Sequence, residues 1–164
     1  MAKLRIFGVL GVGAALAGCS AYRSPEIEVT GARVAQETSQ GMVIDFTLNA
    51  SNANEVDLPL ERVTYTVRLN GERVFAGTRS AEATVRRLGT QGFVLPAAID
   101  LTTFDPPAGE VPYEITGSVV YVTPGEIAQI LFDVGVRRPR STFRQRGTLD
   151  FGAGETTETQ SSTQ

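Results

Sequence analysis

Arg62-Val63-Thr64-Tyr65-Thr66-Val67-Arg68-Leu69-Asn70-Gly71-Glu72-Arg73-Val74-Phe75-Ala76-Gly77-Thr78 is the stretch that decides the fold. Val63, Tyr65, Val67 and Leu69 point one way along an extended chain, and Arg62, Thr64, Thr66 and Arg68 point the other. That period of two is the signature of a half-buried strand. Asn70-Gly71 then supplies two residues that tolerate positive φ, the strongest short signal for a tight hairpin. The return strand runs over 72–78, with Val74 and Ala76 expected inward and Gly77 after them.

The same pattern continues on both sides. Upstream, a strand over 27–37 is broken at Gly31 by an expected bulge. After the Ser39-Gln40-Gly41 turn, Met42, Ile44, Phe46, Leu48 and Ala50 alternate with polar residues. Ser51 to Asp57 is turn-forming, and Leu58-Pro59-Leu60 re-enters the core at a strand start or edge. Downstream, a short strand is expected near 83–85, then a turn at Leu88-Gly89. Phe93, Leu95, Ala97, Ile99 and Leu101 alternate next, with Pro96 limiting that strand's pairing. Tyr113, Ile115, Gly117, Val119 and Tyr121 form another strand, and a last one covers about 142–151 with Phe143, Leu149 and Phe151 inward. Between these two, Thr123-Pro124-Gly125-Glu126 reads as a capping box, so a short helix is expected over about 124–132 with Ile127, Ile130 and Leu131 on its apolar stripe. Seven to eight regularly spaced strands and one short helix predict an all-β, fibronectin- or immunoglobulin-like antiparallel sandwich.

The amino-terminal segment is of a different kind. Lys3 and Arg5 precede an apolar run from Ile6 to Ala17. Twelve helical residues rise about 18 Å, short of a ~30 Å hydrocarbon core. The run therefore reads as the h-region of a signal peptide. It ends in Leu16-Ala17-Gly18-Cys19, and Cys19 is the single cysteine of the 164 residues. Those four residues resemble a bacterial lipobox. The resemblance implies cleavage before Cys19, acylation of that residue, and stable anchoring by more than one acyl chain. Ser20 in place of an aspartate implies export to the periplasmic face of the outer membrane. From Cys19 to the first strand is about eight residues, at most ~28 Å extended, so the domain is held close to its bilayer.

Composition excludes several functions. Without the leader, 13 arginines and no lysine face 18 acidic residues, a net charge of −5. That is the wrong sign for a general nucleic-acid binder. There is no histidine and no second cysteine, so no Ser-His-Asp or Cys-His machinery, no ordinary zinc site and no disulfide can be built. No cofactor is expected, and the protein is not expected to be an enzyme. Gly152 to Gln164 has no large apolar residue and is expected to be a disordered tail. The expected organisation is a signal peptide over 1–18, a lipidated tether over 19–26, the sandwich over 27–151 and the tail over 152–164.

Ser51-Asn52-Ala53-Asn54 followed by Leu58-Pro59-Leu60 resembles the Asn-Pro-Asn and Leu-Pro pair of the late embryogenesis abundant type 2 proteins, the water-stress and hypersensitive-response (WHy) domain family. Tyr65, Asn70-Gly71, Ala76-Gly77 and Val94-Leu95-Pro96 with Ile99 follow in the family's order. Ala53 departs from the pattern where proline is usual. The resemblance, over about 29–151, implies a sandwich with one short helix, no catalysis, and a role in desiccation or other stress. Together with the lipobox it implies a membrane-anchored envelope lipoprotein that protects proteins or membrane under water loss. The competing expectation is a structural adaptor in an envelope assembly complex.

Few side chains suggest a site. Arg137, Arg138, Arg140, Arg144 and Arg146 lie within ten residues; they suit either an anionic-surface contact or a solvated strand edge protected by charge. Asp45, Glu55, Asp57 and Glu61 match no metal-loop spacing and read as polar turn residues. Asn52 and Asn54 are expected to bond their own backbone in side-chain turns, and Tyr65, Tyr113 and Tyr121 to lie in the core. The expected contacts are the membrane, through Cys19, and client or envelope proteins, with no nucleic acid and a monomeric state.

Overall fold

The structure, a computed structural model, describes residues 22–151, with Glu126 and Ile127 described by their backbone alone. The leader, the lipobox with Cys19, and the tail lie outside the described residues. Seven strands and one helix follow one another as β1 (Glu26–Glu37), β2 (Gly41–Asn52), β3 (Leu58–Leu69), β4 (Glu72–Val85), β5 (Gly89–Asp100), β6 (Gly109–Tyr121), α1 (Glu126–Asp133) and β7 (Arg140–Phe151). All pairings are antiparallel. They form a three-stranded sheet ordered β1-β2-β5 and a four-stranded sheet ordered β4-β3-β6-β7. In an immunoglobulin constant domain the fourth strand lies beside the fifth. Here β4 pairs with β3, the fibronectin-type arrangement.

The alternating residues form the core. Met42, Ile44, Phe46, Leu48 and Ala50 face Val63, Tyr65, Val67 and Leu69 across the sandwich, all buried. Each large side chain buried this way contributes about 1.5–3 kcal/mol, which matters in a chain that cannot form a disulfide. Phe46 and Tyr113 join the two sheets edge to face, ring centroids 5.5 Å apart. Tyr113 and Tyr121 are buried as expected, and the Tyr65 hydroxyl donates to the Pro96 carbonyl at 2.5 Å. Burial pushes the Tyr65 and Tyr113 hydroxyls above their ordinary pKa. Pro96 sits on β5, an edge strand, where its missing N–H costs no ladder bond.

Three expectations need correction. The segments 72–78 and 83–85 are one strand, β4, bent where Ala81 and Glu82 together oppose Glu61; Glu82 takes φ 48° there. That accounts for seven strands. Val74 is itself a bulge residue: Val67 pairs with Phe75 and Arg68 with Arg73. The bulge reverses the alternation beyond it, so Phe75 turns in against Tyr65 and Ala76 turns out, exposed. The helix starts later than its sequence suggests. Its N-cap is Gly125 at φ 117°, with no side-chain cap bond, so Thr123 does not cap it. Only glycine adopts that φ without strain, and it resets the chain after Pro124. Ile130 is exposed and not on a buried stripe.

Aromatic rings lie over glycines on the inner face of the four-stranded sheet. Phe143 pairs with Gly117 and Tyr113 with Gly147. A Cβ on Gly117 would collide with the Phe143 ring and lie 2.8 Å from the Thr64 carbonyl oxygen. Gly117→Ala is therefore expected to cost about 1–3 kcal/mol by overpacking. A denaturant midpoint equal to wild type would show that the ring has room to move.

Candidate functional site

Two loops at one end of the sandwich are tied by a single carboxamide. Asn52, at the end of β2, is 3% exposed. Its side-chain amide donates to the carbonyls of Val56 (2.7 Å), Val85 (3.2 Å) and Arg86 (3.2 Å). Its Oδ1 accepts from the Asn54 backbone N–H at 2.9 Å, a side-chain turn that closes without the proline missing at Ala53. Asn54 then grips the entering chain: its amide donates to the Arg23 carbonyl (2.8 Å) and its Oδ1 accepts from the Arg23 N–H (2.9 Å). The expected side-chain turn is made by Asn52, which also reaches Val85 and Arg86; Asn54 makes none and bonds the Arg23 backbone and the Asn52 Oδ1 instead, because the entering chain passes against it. Two further bonds fix the same end. Ser141 donates to the Pro25 carbonyl at 2.6 Å, and the Ser24 and Tyr121 hydroxyls lie 2.8 Å apart. The 53–57 loop, the β4–β5 hairpin tip and the start of the described chain are thus one polar knot.

The arginine cluster divides in two. Arg144 and Arg146 stand on the outer face of β7, as alternation requires, and both hold Glu114 of β6, at 2.9 Å and 2.5 Å. Arg144 foremost, then Arg146, holds the Glu114 carboxyl below the ordinary glutamate range. Arg137, Arg138 and Arg140 belong to the knotted end instead. Arg138 lies over the Phe132 ring, 5.6 Å from its centroid. Arg138 and Arg140 join Arg62, Arg79 and Glu61 around a cavity of about 490 Å³ whose lining also includes Thr64, Thr78 and Ser118. None of the ion pairs found among the described residues includes Arg137, Arg138 or Arg140.

The expected polar-turn carboxylates are dispersed. Asp45 pairs with Arg33 at 2.8 Å on the outer face of the three-stranded sheet, and Asp57 accepts the Arg87 backbone N–H at 2.8 Å. Among the described residues no group of three potential metal ligands comes together.

The profile of the late embryogenesis abundant proteins (LEA_2) matches residues 47–159. The chain belongs to that family. Solved structures share its fold at low identity. The solution structure of AT1g01470 from Arabidopsis thaliana superposes with TM-score 0.61 at 11% identity, over 90% of this chain and 96% of that one. A putative late embryogenesis abundant (LEA) protein gives 0.56 at 15%, over 77% and 72%. A protein from Archaeoglobus fulgidus gives 0.52 at 12%, over 76% and 95%. At these identities the likeness concerns the fold alone. A search of curated proteins finds no match.

In this LEA_2 chain the family-like Asn52 and Asn54 are the residues that knot the end together. Four exposed apolar side chains at the same end, Leu88, Ile130, Val134 and Val136, were not singled out as surface features from sequence. Ile130 carried a misleading signal, since helical spacing placed it inward. Leu88 carried a usable one, a large apolar residue at a turn.

Two outcomes follow from the geometry. Asn52→Ala leaves buried carbonyls and an N–H without partners, and is expected to lower stability by about 1–3 kcal/mol; chemical denaturation beside Asn54→Ala, which removes only partly exposed bonds, checks the ranking. Because the Glu114 pKa is depressed, its ion pairing supports the fold above the unfolded-state pKa and fades as pH falls through the folded one. Carboxyl NMR titration should place Glu114 below an ordinary glutamate, and Arg144→Gln with Arg146→Gln should return it upward.

Proposed function

We propose that this LEA_2 chain is a non-enzymatic lipoprotein of the bacterial cell envelope. In this reading it is held through acylated Cys19 on the periplasmic face of the outer membrane. Its WHy-type domain there protects neighbouring proteins and the bilayer during desiccation or other water stress. The observation that carries the reading is the conjunction of family membership with the lipobox-like Leu16-Ala17-Gly18-Cys19 at the end of an apolar leader. Support comes from a domain in which, among the described residues, every buried side-chain polar atom has a hydrogen-bond partner within the protein, so its interior holds no polar side chain that relies on water. The signal peptide over 1–18 and the tether over 19–26 belong to the same proposal.

The test is genetic and biochemical together. Wild-type protein should enter the detergent phase and carry a thioether-linked diacylglycerol on Cys19 by mass spectrometry, whereas Cys19→Ala should not. Deletion of the gene should lower survival after drying, restored by wild type and not by Cys19→Ala. Full survival of the deletion strain, with a stoichiometric envelope protein co-purifying, would replace protection by the adaptor role.

A further inference from the structure

The two ends of the sandwich differ in chemistry. Of six exposed large apolar side chains among the described residues, only Val94 lies on a sheet face. The other five are Tyr22 (42% exposed), Leu88 (70%), Ile130 (60%), Val134 (65%) and Val136 (73%). The pairings place all five at the knotted end. β1 and β5 begin there, β2 and β4 finish there, and α1 with its flanking loops bridges β6 to β7 there. Six exposed arginines share that end: Arg23, Arg86, Arg87, Arg137, Arg138 and Arg140. Its exposed acids are Glu26, Glu55, Asp57 and Asp133, with Glu28 and Glu61 next inward, and Asp57 is engaged by the Arg87 N–H, so the positive excess of this end is small. The opposite end, roughly 35 Å away by strand length, is acidic, with Glu37, Glu72, Asp100, Asp105, Glu110 and Asp150 all exposed.

Leu88 makes the contrast sharper. It holds φ 50° at the tip of the β4–β5 hairpin, a conformation that favours Gly or Asn, and it does so almost fully in water. Its backbone is set within the domain, by the hairpin turn and by its N–H bond to the Asn54 carbonyl at 3.0 Å, but nothing in the domain covers its side chain. A large apolar side chain held in water at a hydrogen-bonded tip points to a contact outside the chain. Ile130 lines an apolar cavity of about 670 Å³ with Pro59, Val122 and Pro124 at the same end.

The geometry points to this end as a membrane-docking face, with Leu88, Ile130, Val134 and Val136 entering the headgroup boundary of an anionic bilayer and Arg86, Arg87, Arg137, Arg138 and Arg140 meeting lipid phosphates. Apolar side chains among arginines form the composition that binds a lipid interface, and arginine near an anionic surface adds electrostatic attraction. The acidic far end is repelled by the same surface, which fixes the orientation. The chain enters at this face: Arg23 is pinned to Asn54, only four residues or ~14 Å extended from Cys19. The identity of the bilayer as the one holding the anchor rests on the proposed lipidation of Cys19. The docking face itself stands on the exposed residues.

The chain contains no tryptophan, so single reporters are unambiguous. Leu88→Trp, Val136→Trp and, at the acidic end, Ser39→Trp replace exposed residues and leave the core intact. Each full-length protein, purified from cells and weighed by mass spectrometry, is presented to vesicles of brominated lipid with and without phosphatidylglycerol. Leu88→Trp and Val136→Trp should shift to the blue and be quenched with phosphatidylglycerol present, and Ser39→Trp should do neither. Adding Arg137→Gln, Arg138→Gln and Arg140→Gln should reduce that quenching toward the level in zwitterionic vesicles. Equal quenching at both ends, no quenching at Leu88 and Val136, or shielding of both by a co-purified protein partner would overturn the docking face. Quenching by a chain whose mass shows no acyl group would sustain the face and remove the anchor. An acylated chain without quenching would do the reverse.

Discussion

One buried carboxamide holds the loops at one end of this domain together. Asn52 donates to three carbonyls, of Val56, Val85 and Arg86, and accepts from the Asn54 N–H, joining the 53–57 loop to the β4–β5 connection. Sheet hydrogen bonding and apolar burial account for the barrel of the sandwich. They do not account for the loops, which bury little and whose polar groups need partners. A side chain carrying two donors and an acceptor at a buried point satisfies several of them at once. The bond network then passes through Asn54 to Arg23, so the same knot fixes where the chain arrives from its amino-terminal side. Leu88 is positioned through this knot as well, by its N–H bond to the Asn54 carbonyl at 3.0 Å.

That constraint turns a symmetrical architecture into a polar one. A sandwich with strands of about twelve residues has two equivalent ends in principle. Here one end holds the start of the described chain, the helix, five of the six exposed large apolar residues and most of the arginines outside the ion pairs, and the other has more carboxylates than arginines. The net negative charge of the chain hides this division completely. Arginine is also placed differently on the sheet face, where Arg144 and Arg146 share Glu114 and little free positive charge is left. A cluster that is continuous in sequence is thus two surfaces in space, one neutralised and one open.

The strands were legible because their alternation reports a local and periodic constraint: each inward residue of β2 and β3 could be read off, and the bulge at Gly31 agreed with a register shift between Val29 and Gly31. The departures arise where one residue breaks the period. The bulge at Val74 exchanges the roles of Phe75 and Ala76, and nothing in the alternation marks it, because either phase places an apolar residue inward. The start of α1 was misplaced because a well-formed Thr-Pro-Gly-Glu cap competes with a glycine whose backbone conformation the chain needed more. The tyrosines and the Asn52 turn were legible as types. Long-range partners, Pro96 for Tyr65 and Arg23 for Asn54, depend on tertiary approach and leave no trace in spacing. Of the docking face only Arg137, Arg138 and Arg140 were legible, as one of two readings of the arginine cluster; its other residues come from segments far apart in the chain, at 22–23, 86–88 and 130–136, which spacing does not bring together.

An account in which the knotted end faces the bilayer is tested most directly by hydrogen exchange of the full-length protein on phosphatidylglycerol-containing membranes. Amides at 86–89 and 129–138 should exchange more slowly on the membrane than in detergent-free solution, while those at 38–41, 70–72 and 101–108 keep their solution rates. Slowing at the acidic end, or the same rates at both ends with the protein membrane-bound, would contradict it.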